Sequence, residues 1–305
     1  MRQTHALHEI VVIDNASTDR TPELLAGRYP QVTVLRMPEN LGAAGAWAAG
    51  LAYAALKRRH DWVWAFDHDS VPESNALELL LEGVHTLGEI AAEVGMVATL
   101  PVDRATGCSY PPLLWRNGFV KGPPELLQQP VWLADLVITS GCMVRRSMVE
   151  KIGLPTSDFF MDIFDLEYSI RARSRGYKIA VITGAKLVHE IGNTRKINLL
   201  GYRRLWLDQP PWREYYLSRN LAYLAWNLYP NLATKISIGR FLAVHFAQVW
   251  LFSSNRIACA IKTIQGFVDG VRGRLGIRIR PGSGDLRKTG GDETLAEKVH
   301  VGTAP

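Results

Sequence analysis

Apolar and polar positions in the first two hundred residues switch repeatedly between a strand pattern and a helix pattern. Glu9-Ile-Val-Val-Ile13 is a short β-branched run that stops at the turn and cap formers Asp14-Asn15-Ala16-Ser17-Thr18-Asp19. Thr21-Pro22-Glu23 then opens an apolar-periodic segment, so the pattern predicts strand, loop, helix. Val32 to Arg36 repeats the strand signal. Beyond Pro38-Glu39-Asn40-Leu41-Gly42, the stretch Ala43 to Arg58 is rich in alanine and leucine and predicts a second helix. Trp62-Val-Trp-Ala-Phe66 predicts a buried strand ending abruptly at Asp67-His68-Asp69-Ser70, with Pro72-Glu73 starting another helix. Alternation of this kind implies an α/β fold with a mostly parallel sheet flanked by helices.

Farther on, Trp132 to Ile138 and Met143-Val144 predict strands around the Thr139-Ser140-Gly141 turn, and Asp158 to Arg175 predicts an acidic loop running into a helix. Tyr177 to Val181 is a further strand, and Leu187-Val188-His189 follows it. From about Arg213 the composition changes to long helical segments with aromatics. The chain therefore divides into an α/β domain over 1–212, a helical basic segment over 213–280 and a disordered Gly-, Lys- and Asp-rich tail over 281–305.

The charge pattern sharpens this division. The formal net charge is +6, and between Asn231 and Arg280 eight Lys/Arg face one acid, Asp269, a local excess of seven positive charges. Such a balance suits an anionic partner: nucleic acid, a phosphorylated substrate or an acidic membrane face. No nucleic-acid module accompanies it, so no nucleic-acid partner is expected. The three cysteines are far apart with no metal-ligand spacing, which fits a reducing compartment. The amino terminus lacks the pattern of a signal peptide, and the longest apolar run, Phe241 to Phe252, is interrupted and too short to span a bilayer. The expectation is a cytoplasmic protein, with the basic helical segment able to meet the inner face of the cell membrane.

Two acidic loops, after Ile13 and after Phe66, lie at the carboxyl ends of strands, where open α/β sheets bind ligands. Asp67-His68-Asp69 on a rigid strand end offers carboxylates to a hard divalent ion such as Mg²⁺ or Mn²⁺. As isolated motifs, both loops read equally well as helix caps. Asn40-Leu41-Gly42-Ala43-Ala44-Gly45 is not a dinucleotide fingerprint, which argues against a dehydrogenase.

The ordered set VVIDNASTD, NLGAAGAWAAGL, FDHDSVP, TSGCMVRRSMVEKIG and DFFMDIFDLEYSIRARSRGYKI, followed by His189, resembles family 2 glycosyltransferases of the GT-A fold over roughly residues 5–230. Within that family the pattern is most similar to bacterial rhamnosyltransferases and galactofuranosyltransferases. The resemblance implies an inverting, metal-dependent transfer of a sugar from a dTDP- or UDP-sugar to a glycan or lipid-linked acceptor. It implies Asp165 as catalytic base and Glu167 and Asp162 as residues that orient acceptor or sugar. Asp14, Asn40 and Asp67 would bind the nucleotide, and Asp69 and His189 would hold Mg²⁺ or Mn²⁺. For Asp165 and Glu167 the plainer alternative is an acidic first helical turn paired with Arg171. A lone histidine such as His189 is more often a satisfied core residue than a ligand. Arg219-Asn220 matches the family's carboxyl-terminal block and reads equally as a packing pair.

One departure from the family pattern carries its own expectation. Arg2-Gln3-Thr4-His5 reads as the end of a first helix, so the first strand is missing, and a doubly wound sheet without it would expose two long edges. The second functional reading is accordingly a catalytically incomplete nucleotide-sugar or glycan-binding protein.

Overall fold

A computed structural model describes residues 3–104, 107–109, 112–189, 194–199 and 202–281, with the backbone alone for 189, 194–199 and 202–205. In chain order, β1 (Val11–Asp14), α1 (Thr21–Arg28), β2 (Thr33–Arg36) and α2 (Gly42–Leu51) come first, and α2 runs on as a π-helical stretch, Ala52–Lys57. Next come β3 (Trp62–Ala65), β4 (Val71–Pro72), α3 (Ala76–Thr86) and β5 (Val94–Asp103), then β6 (Leu113–Trp115), β7 (Phe119–Lys121), β8 (Val131–Ala134), β9 (Cys142–Arg145) and α4 (Arg146–Ile152). The chain continues with α5 (Phe164–Ser174), β10 (Lys178–His189), β11 (Thr194–Leu199), β12 (Tyr202–Leu207), α6 (Pro211–Tyr223), α7 (Leu232–Phe252) and α8 (Arg256–Val271).

The central sheet has the order β3-β9-β5-β10-β4, with β8 also pairing β10. It is mixed: β5 and β10 run parallel, while β9 is antiparallel to β3 and β5, and β10 is antiparallel to both β4 and β8. A register shift between Ile182 and Lys186 divides β10. Its first half pairs β8 and its second half pairs β4. Leu187 to His189 thus continues the strand that starts near Tyr177.

The core follows from the two-residue period of these strands. Met96, Ala98, Cys142, Val144, Ile179 and Val181 pack toward α2, α4 and α5, against Trp47, Leu51, Met148 and Tyr168. Val97, Met143, Ala180 and Ile182 point the other way, onto Leu77, Leu80 and Val84 of α3. Burial on both faces explains why the strands read as continuous apolar runs instead of alternating ones. Leu221, Leu224, Ile238 and Leu242 join the first cluster, so the helical segment that begins at α6 shares the core of the α/β part.

Two expectations are corrected at the edges. Pro72 does not start a helix; Val71 and Pro72 pair with Val188 and Leu187, and the helix begins at Ala76. Gln3 and Thr4 are not helical either. Thr4 N–H donates to the Ser74 carbonyl, while Gln3 donates to the Glu73 carbonyl and accepts from Leu77 N–H at the start of α3. Among the described residues, β1 pairs only with β2 and β3 only with β9. The feet of these strands are tied by Glu9, which accepts from Arg58 and meets His60 Nε2 at 2.8 Å. His60 comes first among the causes that pull the Glu9 carboxyl down to about 2. Beyond Pro281, the expected tail lies outside the described residues.

Helices α6 and α8 cross closely because α8 turns Gly266 and Gly270 toward α6. A Cβ there would come within 2.2 Å of the Tyr215 and Arg219 carbonyl oxygens respectively. Gly239, inside α7, has nothing within 4 Å of its Cβ position. Gly266→Ala is therefore expected to lower unfolding free energy by about 1–3 kcal/mol through overpacking. Gly239→Ala is expected to raise it by about 0.5–1 kcal/mol through helix propensity. Urea denaturation of the two variants beside the parent checks both signs.

Candidate active site

The end of β3 delivers Asp67 and Asp69 into a loop that is hydrogen-bonded to the Thr139-Ser140-Gly141 turn. Asp67 N–H donates to Ser140 Oγ at 3.1 Å, Ser140 Oγ–H to Ser70 Oγ at 2.7 Å, and Ser70 Oγ–H to Asp69 Oδ1 at 3.3 Å. Ser70 and Ser140 are buried, so this relay operates away from water and fixes the acidic loop to the sheet. The Gly141 amide completes the anchor by donating to the Ala65 carbonyl at the end of β3.

The second acidic loop, 158–163, precedes α5. Phe160, Asp162 and Ile163 all have positive φ (63°, 58° and 67°), a region that costs a non-glycine residue about 1 kcal/mol or more. What holds it is the pair Arg219-Asn220 on α6, both fully buried. Arg219 donates to the carbonyls of Asp158, Phe159 and Gly276. Asn220 donates to those of Phe159, Met161 and Asp162, and its own oxygen accepts from Arg219 Nε. On the far side, Ala44 N–H at the start of α2 donates to the Phe160 carbonyl. Gly42, at φ +70°, lets that loop approach; a Cβ there would lie 2.1 Å from Phe160 O.

This scaffold brings Asp67, Asp162 and Asp165 into one electrostatic neighbourhood. Asp165 stands in the first turn of α5, with Oδ1 accepting from Leu166 N–H. Desolvation, first, and the charges of Asp162 and Asp67 push its carboxyl up to about 7 against the pull of that N–H. Beneath it, the buried Cys142 thiol at the start of β9 is pushed up by burial and by Asp165. Arg213 of α6 clamps Asp162 with Nη2–Oδ1 at 2.9 Å and Nε–Oδ2 at 3.1 Å, and it also feels the charge of Asp67.

Asp14 and Asn40 belong to the adjoining part of the rim. Asp14, at the end of β1, is buried; Oδ1 accepts from Ser17 N–H, and Oδ2 lies 3.6 Å from Arg36 Nε but accepts no hydrogen bond. Its neighbour Asn15 donates to Asn40 Oδ1 and the Gly42 carbonyl and accepts from Leu41 N–H. Asn40 Oδ1 also accepts from Gly42 N–H, so this side chain shapes the loop that leads to Phe160.

Glu167 also stands in the first turn of α5. It is buried, with Oε1 2.9 Å from Arg171 Nε and Oε2 accepting from Arg171 and Thr156. Desolvation raises its carboxyl and Arg171 opposes. Both of its oxygens are engaged by Arg171 and Thr156. The side chain of His189 lies outside the described residues; its backbone is opposite Asp103 in the β5–β10 ladder. Among the described residues no group of three His, Cys, Asp or Glu is gathered for a metal ion.

Sequence reasoning missed Arg213, Ser70 and Ser140. An isolated arginine in REYY and serines in a turn have no periodicity to mark them; only the closure of the fold assigns their partners.

Residues 1–153 match the family model described as glycosyl transferase family 2. The dTDP-rhamnosyl transferase RfbF of Shigella flexneri is 26% identical over 271 residues, covering 88% of this chain and 87% of that protein. The galactofuranosyltransferase GlfT1 of Mycobacterium tuberculosis strain H37Rv is 27% identical over 232 residues, with 73% and 74% covered. A crystal structure of GalNAc-T7 with UDP, GalNAc and Mn²⁺ superposes with a TM-score of 0.49 at 14% identity. That superposition takes in 94% of this chain, which spans about half, 51%, of the GalNAc-T7 chain.

Replacing Arg219 by Met keeps the length and removes every donor it supplies to the carbonyls of 158, 159 and 276. The expected loss is about 3 kcal/mol or more, from unsatisfied buried carbonyls and a loop that no longer holds its positive-φ residues. Chemical denaturation measures it, and proteolytic nicking of the 158–163 loop in the variant locates it.

Proposed function

Because the chain belongs to glycosyl transferase family 2, we propose that it transfers rhamnose or galactofuranose from a dTDP- or UDP-sugar by one in-line displacement with inversion. The acceptor in this reading is a hydroxyl of a lipid-linked or cell-wall polysaccharide precursor, met at the cytoplasmic membrane face. The observation that carries the chemistry is the Asp165 carboxyl, raised to about 7 within an acidic neighbourhood. A general base works best with a pKa near the working pH, where it is substantially ionised yet still basic enough to take the acceptor proton.

Each remaining requirement of the reaction has a candidate residue. The buried Asp14 oxygen without a hydrogen-bond donor is a ready acceptor for a ribose hydroxyl or a base N–H, with Asn15 and Asn40 shaping the adjoining loop. Asp162, clamped by Arg213, stands beside Asp165 and is one of the causes that raise its carboxyl. Arg213 in turn offers a guanidinium next to Asp67, suited to a diphosphate oxygen.

For the divalent ion, oxygen donors on a fixed loop suit Mg²⁺ or Mn²⁺, and the excess of carboxylate charge around Asp165 fits a cation there. Asp67 and Asp69 would hold it, with His189 as a third candidate. When bound, it would neutralise the departing diphosphate. Glu167 enters this account through α5, whose first turn it locks to Arg171 and Thr156, and thereby positions Asp165.

The test is turnover and binding with a panel of dTDP- and UDP-sugars, with and without Mn²⁺. Asp165→Asn is expected to lower kcat by about 10²–10⁴-fold with donor Kd kept within about threefold. Asp69→Ala is expected to abolish the dependence of donor binding on the metal. Failure of the folded protein to bind any nucleotide sugar with either ion would overturn the reading.

A further inference from the structure

Helix α8 is built with its large side chains on the wrong side for a water-facing helix. The face it packs on α6 consists of Cys259, Ala260, Thr263, Gly266 and Gly270, all buried. Its aliphatic residues point outward instead: Ile257 is 63% exposed, Ile261 49%, Ile264 54% and Val268 38%. Their spacing of i, i+4, i+7, i+11 makes one continuous stripe. The inversion has a physical origin, since only a small-residue face allows α8 to lie against the α6 backbone and leave the Arg219 anchor in place.

Helix α7 repeats the theme. Thr234, Ile238, Leu242 and Val249 form its buried side, while Leu232, Ile236, Val244, Trp250 and Leu251 are exposed. A short turn through Ser254 joins the two helices, so their outer faces belong to one hairpin. Scattered exposed aliphatics need no explanation, but a stripe along one helix of a connected pair marks an interaction surface.

Charge selects the occupant. The segment 231–280 carries eight Lys/Arg and one acid, and that acid, Asp269, is engaged by Tyr215 Oη and Arg274. Arg240, Arg256 and Arg272 are exposed on the same two helices or at the end of α8. A second copy meeting this face about a two-fold axis would set the positive excess against itself. An anionic bilayer offers hydrocarbon for the stripe and negative headgroups for its flanks, with Trp250 suited to the interface between them. Among the described residues no helix is long and apolar enough to cross a membrane. Helix α7, with Lys235 and Arg240 along it, fits lying in the surface.

We propose that the α7–α8 hairpin docks the protein on an anionic phospholipid surface, with Ile257, Ile261, Ile264 and Val268 entering the acyl boundary and the flanking arginines meeting the headgroups. This surface is argued independently of the transfer chemistry, and vesicles free of any sugar test it without reference to activity.

The experiment is co-sedimentation of the full chain with phosphatidylcholine vesicles and with vesicles in which 30% of the lipid is replaced by phosphatidylglycerol, a choice on the order of cytoplasmic-leaflet charge. Binding to the anionic vesicles is expected to be at least about tenfold tighter than to the zwitterionic ones and to weaken in high salt. Ile261→Glu/Ile264→Glu is expected to lose about tenfold or more of that binding with its melting temperature unchanged. The milder Ile257→Ser/Ile261→Ser pair is expected to fall between. Absence of binding to anionic vesicles, or equal binding by the folded glutamate variant, would overturn the proposal. So would a parent oligomer in light scattering that the glutamate pair converts to monomer without any vesicle binding, which would assign the face to a second copy.

Discussion

The acidic site depends on one buried arginine. Arg219 and its neighbour Asn220 supply the donors that hold the carbonyls of residues 158–162, and without them three consecutive-range positive-φ residues would relax. A guanidinium with no exposed surface is expensive to desolvate. It is tolerated here because backbone carbonyls and the faces of Tyr215 and Tyr216 surround it, with the Tyr216 ring centroid 4.6 Å from its central carbon. The loop geometry then sets where Asp162 and Asp165 stand, and through them the raised proton affinity of Asp165.

The same requirement propagates outward. For Arg219 to reach the loop, α6 must lie under it, and α8 must lie against α6, which the glycine-lined crossing permits. That crossing spends the small face of α8 on the interior and turns its isoleucines out. The exposed isoleucine stripe and the 158–163 loop are thus two consequences of one packing arrangement, with α6 between them.

Much of this was legible in the sequence, and the reasons for what was not are physical. Strands β1, β2, β3 and β9 and helices α1, α2 and α5 announce themselves because each is a local hydrophobic pattern with a local stop signal. The direction of the strands is not local. β9 runs antiparallel between β3 and β5, and β4 is a two-residue bridge to β10, pairings that depend on distant partners. In the site, the strand-end position of Asp67 and Asp69 and the first-turn position of Asp165 were readable. The engagement of Glu167 by Arg171 was available as the i,i+4 alternative, and the burial of Glu167 beside Arg171 is a product of the fold that no local pattern gives. Arg213 and the Ser70–Ser140 relay join residues 51 and 70 positions apart, beyond any window of local pattern.

The central claim is that the fold raises the proton affinity of Asp165 by taking it out of water beside two other carboxylates. The direct measurement is a carboxyl-carbon NMR titration of aspartate-labelled protein in metal-free buffer, with Asp165→Asn identifying the resonance. The predicted midpoint is near 7. A folded pKa above the unfolded one makes this group's contribution to stability full below about pH 4 and lost as pH rises through 7. A midpoint near 4, the value of an ordinary solvated aspartate, would contradict it.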